Sequence, residues 1–154
     1  LDETKIDIHN HIFIEPSAGC GSFFNILPSN QRIGIDLHPA YEFASQLIAG
    51  NYLSYLPPSF QKYIVIGNPP FGLRGNLALR FILHSQQFAD VVAFILPPLF
   101  HSTGKGSPMK RISGDQLLHS EKLPLNSFQY PDGTNVDIAT IFQIWVKPQN
   151  TLCT

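Results

Sequence analysis

Residues 68–71 read Asn-Pro-Pro-Phe and directly follow an apolar stretch at 63–67 that predicts a buried strand. An amine attached to an aromatic ring is a weak nucleophile because its lone pair is delocalised into the ring. Two acceptors aimed at its hydrogens, the Asn68 side-chain oxygen and the Pro69 carbonyl, would free that lone pair for attack. Pro70 keeps the corner rigid, and Phe71 can stack on a base. The pattern predicts chemistry on an exocyclic amine of a base that is flipped out or single-stranded.

A plain turn after a strand is the competing interpretation of this tetrapeptide. Pro-Pro occurs again at 57–58 and at 97–98, where no such chemistry is indicated. Only at 68–71 does an asparagine precede the prolines and an aromatic residue follow them. That combination at the end of an apolar strand favours a catalytic corner.

A glycine-rich turn at 18–21, Ala-Gly-Cys-Gly, follows the first predicted strand. Glycines there let the backbone turn sharply and let a ligand lie against the main chain. Glu15 just before the turn would repel a pyrophosphate and attract an ammonium group. The dinucleotide fingerprint G-x-G-x-x-G is also incomplete, because position 24 is Phe. The turn therefore suits a cationic ligand such as S-adenosylmethionine, with a structural turn as the alternative.

Asp36 stands at the end of the second predicted strand, where a carboxylate can accept both hydroxyls of a ribose. Leu37 beside it offers an apolar face to an adenine ring. The alternative is a surface aspartate that caps the helix predicted to begin near His38 and Pro39.

A basic loop at 100–114 contains Lys105, Lys110 and Arg111 and follows the fourth predicted strand. It is expected to project from the same edge of the sheet as the catalytic corner, and Arg74 can join it. Such a loop can hold a phosphate backbone. A solvated loop with no ligand is the competing interpretation.

Asp7, His9 and His11 alternate, and on a strand this spacing suits metal ligands and resembles the amidohydrolases. Those enzymes need a barrel of about 250 residues, and this chain has 154. We therefore expect no metal site and interpret the stretch as an edge segment.

The elements that must position these residues alternate along the chain. Strands are predicted at 11–16, 32–38, 63–67 and 91–98, helices at 22–27, 39–50, 75–90 and 113–120, and two strands around a turn within 128–147. Alternation of strand and helix predicts a parallel sheet with crossover helices, and the last two strands add an antiparallel edge. Glu15, Asp36 and Asn68 would then share one edge of the sheet, where ligands bind in such folds.

Composition limits the classes of protein that fit. The chain is 44% hydrophobic and 14% charged with a net charge of −1, which is globular and carries no overall positive field for nucleic acid. Two cysteines without metal-like spacing fit reduced thiols in the cytoplasm. No apolar run reaches the roughly 18 residues of a membrane span, so no membrane partner is expected. We interpret residues 1–154 as a single domain.

Three stretches together resemble one enzyme family. "EPSAGCGSF" (15–23), "GIDLHP" (34–39) and "IGNPPFG" (66–72) are similar to motifs I, II and IV of the S-adenosylmethionine-dependent adenine-N6 methyltransferases. The resemblance extends over about residues 11–147, where the later part is similar to small members encoded beside bacterial and phage DNA methylases. It implies the α/β, Rossmann-like class I methyltransferase fold, with a mostly parallel seven-stranded sheet and an antiparallel C-terminal hairpin.

The resemblance also implies roles for individual residues. The residues implied to line the methionine part of the cofactor are Glu15, Ser17, Ala18, Gly19 and Gly21. It places Asp36 on the ribose, and Asn51 at the adenine amine, where the family often has an acidic residue.

Two departures from the family affect the expected function. The stretch "LDETKIDIHN" (1–10) has no clear counterpart of the helix that often closes over the cofactor, and no separate target-recognition domain is evident. The prediction is methyl transfer to adenine N6, with DNA favoured over RNA as partner and a separate specificity subunit as a further partner. The alternatives are an RNA adenine or guanine amine, a protein glutamine amide, and an inactive cofactor-binding subunit of a larger complex.

Overall fold

The computed structural model describes residues 6–19, 23–39, 47–102, 104–112, 115–125, 128–129, 132–136 and 138–148. The elements are β1 (His11–Glu15), β2 (Arg32–Asp36), β3 (Leu47–Ala49), β4 (Lys62–Gly67), α1 (Asn76–Ser85), β5 (Ala89–Leu96), β6 (Gln116–Lys122), β7 (Phe128–Gln129), β8 (Asn135–Val136) and β9 (Ile141–Val146).

Seven of the strands form one sheet in the order β3-β2-β1-β4-β5-β9-β6. Strands β1 to β5 pair in parallel, whereas β9 is antiparallel to both β5 and β6. The prediction of a mostly parallel seven-stranded α/β sheet with an antiparallel C-terminal element is therefore confirmed. Because the parallel strands end at one edge, Glu15, Asp36 and Asn68 do reach the same edge.

The centre of the sheet is apolar because its strands are covered on both faces. In β5 the side chains of Phe94 and Leu96 on one face and of Ala93 and Ile95 on the other are all buried, which matches the unbroken apolar run in the sequence. Helix α1 packs its apolar face against this core through Ala78 and Ile82, both fully buried. Among the described residues no helix is both long and apolar enough to cross a membrane.

The helix predicted at 113–120 is wrong, because Gln116–Lys122 is strand β6. The signal for the helix was local: Ser113 and Gln116 have capping-box spacing. Pairing with β9 satisfies the backbone groups on one side of β6, the last strand of the sheet, and this tertiary contact outweighs the local preference.

The helix predicted at 39–50 is also wrong at its end, because Leu47–Ala49 is strand β3. Residues 40–46 lie outside the described residues. Within the stretch 128–147 the two strands beside the turn, β7 and β8, form a small separate sheet. The third strand there, β9, supplies the antiparallel element of the main sheet.

The stretch from Asp7 to His11 does not put its polar side chains on one face of a strand. Residues 8–10 form a 3₁₀ turn capped by Asp7, and only His11 belongs to β1, in the interior of the sheet rather than at its edge. The buried His11 ring has its Nε2 2.9 Å from Asp90 Oδ2 and its Nδ1 2.6 Å from the Asp7 carbonyl oxygen. No group of metal-ligating side chains occurs within the described parts of the chain.

Candidate active site

A cavity of about 550 Å³ opens where β1, β2, β3 and β4 end. This volume falls within the range of roughly 300–1,000 Å³ that small-molecule sites have. The strand order reverses between β1 and β4, which is where open α/β sheets bind their ligands. The residues that line the cavity are Pro16, Ser17, Asp36, Leu37, His38, Gly50, Asn51, Tyr52, Leu53, Asn68, Pro70, Leu77, Arg80 and Phe81.

The cavity brings many of the predicted site residues together. Those on its wall are Ser17, Asp36, Leu37, Asn51, Asn68 and Pro70. Those described but not on its wall are Glu15, Ala18, Gly19, Pro69 and Phe71. Gly21 lies outside the described residues.

Asp36 ties the turn after β1 to the end of β2. Its Oδ2 accepts a hydrogen bond from the Gly19 backbone N–H at 2.8 Å, and its Oδ1 accepts one from His38 N–H at 2.8 Å. The second contact is local, to the residue two positions ahead, and the helix that the alternative interpretation required would lie in 40–46, outside the described residues. Each carboxylate oxygen has a further lone pair, and Asp36 lines the cavity, so it can also accept hydrogen bonds from a ligand.

Glu15, the last residue of β1, is buried beneath the cavity rim rather than exposed on it. A Cβ added to Gly67 would lie 3.2 Å from Glu15 Cγ, so the glycine at the end of β4 leaves room for this side chain. Its Oε2 has no hydrogen-bond partner among the described residues. A buried polar atom without a partner is uncommon, and this one is free to accept a hydrogen bond from a ligand or from water.

Burial changes the charge that Glu15 brings to the site. Loss of hydration raises its pKa from 4.5 to about 8, the negative charge of Asp36 adds to the increase, and a hydrogen bond from the Phe24 backbone opposes it. The sequence interpretation treated this residue as a carboxylate that repels pyrophosphate. Near pH 7 the ligand-free side chain is instead mostly protonated, and a nearby cation would favour its ionised form.

The Asn68 corner faces the cavity, as the sequence interpretation requires. Asn68 and Pro70 are exposed on the cavity wall, and Pro69 between them is buried. Ser17 Oγ donates a hydrogen bond to the Asn68 carbonyl oxygen at 3.0 Å. The turn after β1 and the corner after β4 are therefore held together directly.

Phe71 does not present a free ring to the cavity. It is half-buried and packs against the main hydrophobic core. Its carbonyl oxygen accepts hydrogen bonds from the N–H groups of Leu77 and Ala78, both at 3.1 Å, so its backbone caps the start of α1.

The far end of the cavity combines one polar residue with apolar walls. Asn51 Oδ1 accepts a hydrogen bond from Leu53 N–H at 3.0 Å and caps the short turn at 52–54. Leu37, which also lines the cavity, is 63% exposed and adds an apolar surface to its wall.

The predicted basic residues lie outside the cavity. Arg74, Lys105, Lys110 and Arg111 are all exposed, and none of them is on its wall. The turn at 108–111 packs against residues 98–101, which follow β5, so the two lysines and Arg111 belong to the same edge of the sheet as Asn68.

The sequence interpretation missed several residues of the cavity wall. Leu77, Arg80 and Phe81 share one side of α1 at the spacing i, i+3, i+4, which was visible in the sequence. Which side of a helix faces a ligand depends on its packing, and that was not visible. Tyr52 is buried and its hydroxyl lies 2.6 Å from Ser85 Oγ, and nothing in the sequence pointed to that contact.

Comparison with solved structures identifies the fold. A candidate RNA methyltransferase from Pyrococcus horikoshii superposes with a TM-score of 0.62 at 19% identity, over 90% of this chain and 75% of that one. A candidate class I S-adenosylmethionine-dependent methyltransferase from Listeria monocytogenes gives a TM-score of 0.64 at 13% identity, over 90% of this chain and 54% of that one. The M protein of the type I restriction enzyme EcoKI gives 0.63 at 18% identity, over 89% of this chain and 40% of that one.

These similarities show a shared fold, that of class I S-adenosylmethionine-dependent methyltransferases. At such low identity they leave the activity of this chain open. No protein-family model and no curated protein matches the sequence.

Proposed function

We propose that this chain transfers a methyl group from S-adenosylmethionine to the exocyclic N6 amine of adenine in DNA. The observation that carries the proposal is that Asn68 and Pro70 share one cavity wall with Asp36, Leu37 and Asn51. The residues proposed for the cofactor and those proposed for the reacting amine thus meet in one space of suitable size.

The residues present fit the cofactor. Asp36 has lone pairs left to accept the two ribose hydroxyls, and Leu37 and Phe81 supply apolar wall for an adenine ring. Asn51 lies where it can contact the adenine amine. The unpartnered Oε2 of Glu15 lies below Pro16 and Ser17, where it can attract the cationic methionine end directly or through water.

When bound, S-adenosylmethionine supplies a methyl group on a sulfonium, and departure of the neutral thioether drives the transfer. The protein positions the acceptor. The Asn68 side-chain oxygen on the cavity wall and the carbonyl oxygen of the buried Pro69 beside it would each accept one hydrogen of the target amine and so free the nitrogen lone pair for attack. The nitrogen–carbon bond would form as the sulfur–carbon bond breaks, and the amine would lose one proton to water.

Ser17 has a positioning role in this proposal. Its hydrogen bond to the Asn68 carbonyl joins the turn that holds the cofactor to the corner that holds the amine. A fixed distance between these two parts is what a transfer between bound partners requires.

The exposed cations complete the proposal with a surface for nucleic acid. Arg74, Lys105, Lys110 and Arg111 lie around the same edge of the sheet, and their charges can contact phosphates on both sides of the target. The net charge of the chain is −1, so this local patch, rather than an overall field, would attract the polyanion.

RNA is the second candidate substrate. The superposition on a candidate RNA methyltransferase covers 75% of that protein, whereas the superposition on the EcoKI M protein covers 40%. The same fold thus occurs in a candidate RNA methyltransferase, which makes RNA the alternative substrate to test. The two acceptors of the proposed corner suit an exocyclic amine in either polymer.

The experiment begins with calorimetric titration of S-adenosylmethionine and of its demethylated product. Tritiated methyl transfer is then measured to unmethylated amplified DNA, to transcribed RNA and to glutamine-containing peptides. Mass spectrometry of the nucleosides identifies the methylated base. N6-methyladenine in DNA supports the proposal, whereas product only in RNA or in peptide selects that alternative.

Two asparagine variants test the catalytic corner. Asn68→Ala is expected to abolish transfer and to leave cofactor affinity within a few fold, because the amide contacts the acceptor amine. Asn30→Ala, at an exposed position just before β2 and remote from the cavity, is the matched control. Saturable cofactor binding without transfer to any polymer would select the inactive cofactor-binding subunit instead.

A further inference from the structure

A short loop after the Asn68 corner presents a large apolar side chain to solvent. Leu73 is 83% exposed, more than any other large apolar residue in the described parts of the chain. It follows the proposed catalytic tetrapeptide by two residues and precedes α1. A single exposed leucine is common on protein surfaces, so exposure alone does not indicate a role.

The backbone of this loop is unusual. Arg74 has φ 54° and ψ 31°, and it is the non-glycine residue with positive φ among those the structure describes. Gly72 and Gly75 on either side of the tip also have positive φ, both 71°. A left-handed arginine is unfavourable, and such strain persists only where the surroundings enforce it, often at functional sites.

The loop is held firmly at both ends. A Cβ on Gly72 would lie 2.6 Å from Leu77 Cβ, so the backbone there packs directly on α1. Gly75 is buried, and a Cβ on it would lie 3.0 Å from Phe100 Cε2. The strain at Arg74 thus serves to project Leu73 from a rigid base.

The loop lies at the same edge of the sheet as the proposed acceptor site. Residues 73–75 contact residues 98–101, which follow β5 at the same edge of the sheet as Asn68. The half-buried Phe71 anchors the start of the loop, because its carbonyl oxygen accepts the first N–H groups of α1. An apolar tip, a flanking cation and the catalytic corner therefore occur within a few residues of one another.

We propose that Leu73 is a wedge that enters a nucleic-acid duplex as the target base is extruded, while Arg74 contacts an adjacent phosphate. This inference rests on the proposed function. A base inside a duplex cannot reach the Asn68 corner, and its extrusion leaves a gap in the stack. An aliphatic side chain can fill such a gap and stabilise the unstacked steps, and the neighbouring guanidinium neutralises the backbone beside it.

The test compares substrates that differ only in the cost of extrusion. The adenine that the wild-type protein methylates in amplified DNA is first located. Three substrates that contain this adenine are then made. They are a short duplex with thymine opposite the target, the same duplex with an abasic site opposite the target, and the target strand alone. Leu73→Ala is expected to lower kcat/KM about tenfold on the fully paired duplex and less than about twofold on the other two substrates.

A second measurement reports extrusion without turnover. With 2-aminopurine at the target position, the fluorescence increase on binding should be smaller for Leu73→Ala than for the wild type. Phe60→Ala is the matched control, since Phe60 is 80% exposed but precedes β4, at the opposite edge of the sheet. It should match the wild type on every substrate.

Three outcomes overturn the wedge. An equal loss for Leu73→Ala on all three substrates would mean that Leu73 acts elsewhere in binding, and no loss on any would mean that it has no role. If the wild type binds the cofactor but methylates none of the substrates, the proposed function fails, and the wedge fails with it.

Discussion

The buried carboxyl of Glu15 is expected to make the ligand-free protein less stable as the pH rises. Replacing Glu15 by glutamine should remove this loss of stability. Glu15 is 2% exposed, and its Oε2 has no hydrogen-bond partner among the described residues. Burial disfavours its ionised form, so the folded protein keeps the proton that the unfolded chain has already released.

The magnitude follows from the change in pKa. Below pH 4.5 the carboxyl is protonated in both the folded and the unfolded protein and has no pH-dependent effect. Between pH 4.5 and about 8 only the unfolded chain releases the proton, so the free energy of unfolding falls by about 1.4 kcal/mol per pH unit. The loss in the free energy of unfolding is about 3 kcal/mol at pH 7. Above pH 8 it becomes constant at about 3–5 kcal/mol, and the lower figure applies if water in the cavity hydrates the charge.

The assay is urea denaturation of the wild type and of Glu15→Gln at intervals from pH 5 to pH 9 without cofactor. The difference in free energy of unfolding between the two should change steadily up to about pH 8 and then become constant. Glu121→Gln is the control. Glu121 is exposed, and its pair with the exposed His119 at 3.5 Å is a surface contact of the kind that contributes little to stability, so this variant should show the same pH profile as the wild type. Parallel profiles for the wild type and Glu15→Gln would refute the reasoning.

Three further predictions concern the cavity and its support. Asp36→Ala should weaken cofactor binding at least tenfold in calorimetry, because it removes both the proposed ligand contact and the hydrogen bond from Gly19; unchanged affinity would leave Asp36 only its backbone contacts with Gly19 and His38. Ser17→Ala should lower kcat more than it changes cofactor Kd, since it frees the Asn68 carbonyl from the turn after β1; equal changes in both constants would argue against a positioning role. Gly34→Ala should destabilise the fold by about 1–3 kcal/mol in urea denaturation, because its Cβ would lie 2.3 Å from Leu47 Cδ2. An unchanged midpoint would mean that the leucine moves aside freely.

Local patterns predicted most of the elements on the first part of the sheet. The strands at 11–16, 32–38 and 63–67 were visible because apolar, β-branched runs bounded by turn residues have few other stable forms. The helix at 75–90 was visible from its spacing, although it ends at Ser85 and β5 begins at Ala89. In these segments the local preference and the tertiary packing agree.

Elsewhere the preferences of the sequence and the packing disagree. Residues 116–122 form a strand because they pair with β9, and residues 47–49 form a strand because they pair with β2. The partner strand comes from a different part of the chain, so no local window contains the information.

The sequence by itself determined which residues end the strands of the sheet and therefore meet at one edge, because alternation of strand and helix leaves few arrangements. It also placed Asn68 and its prolines at such an end. Only the tertiary structure decided that Glu15 is buried with a raised pKa, that Phe71 packs on the core and that Arg80 lines the cavity. These properties depend on distances between segments far apart in the chain, and burial and charge are set by those distances rather than by the residue types alone.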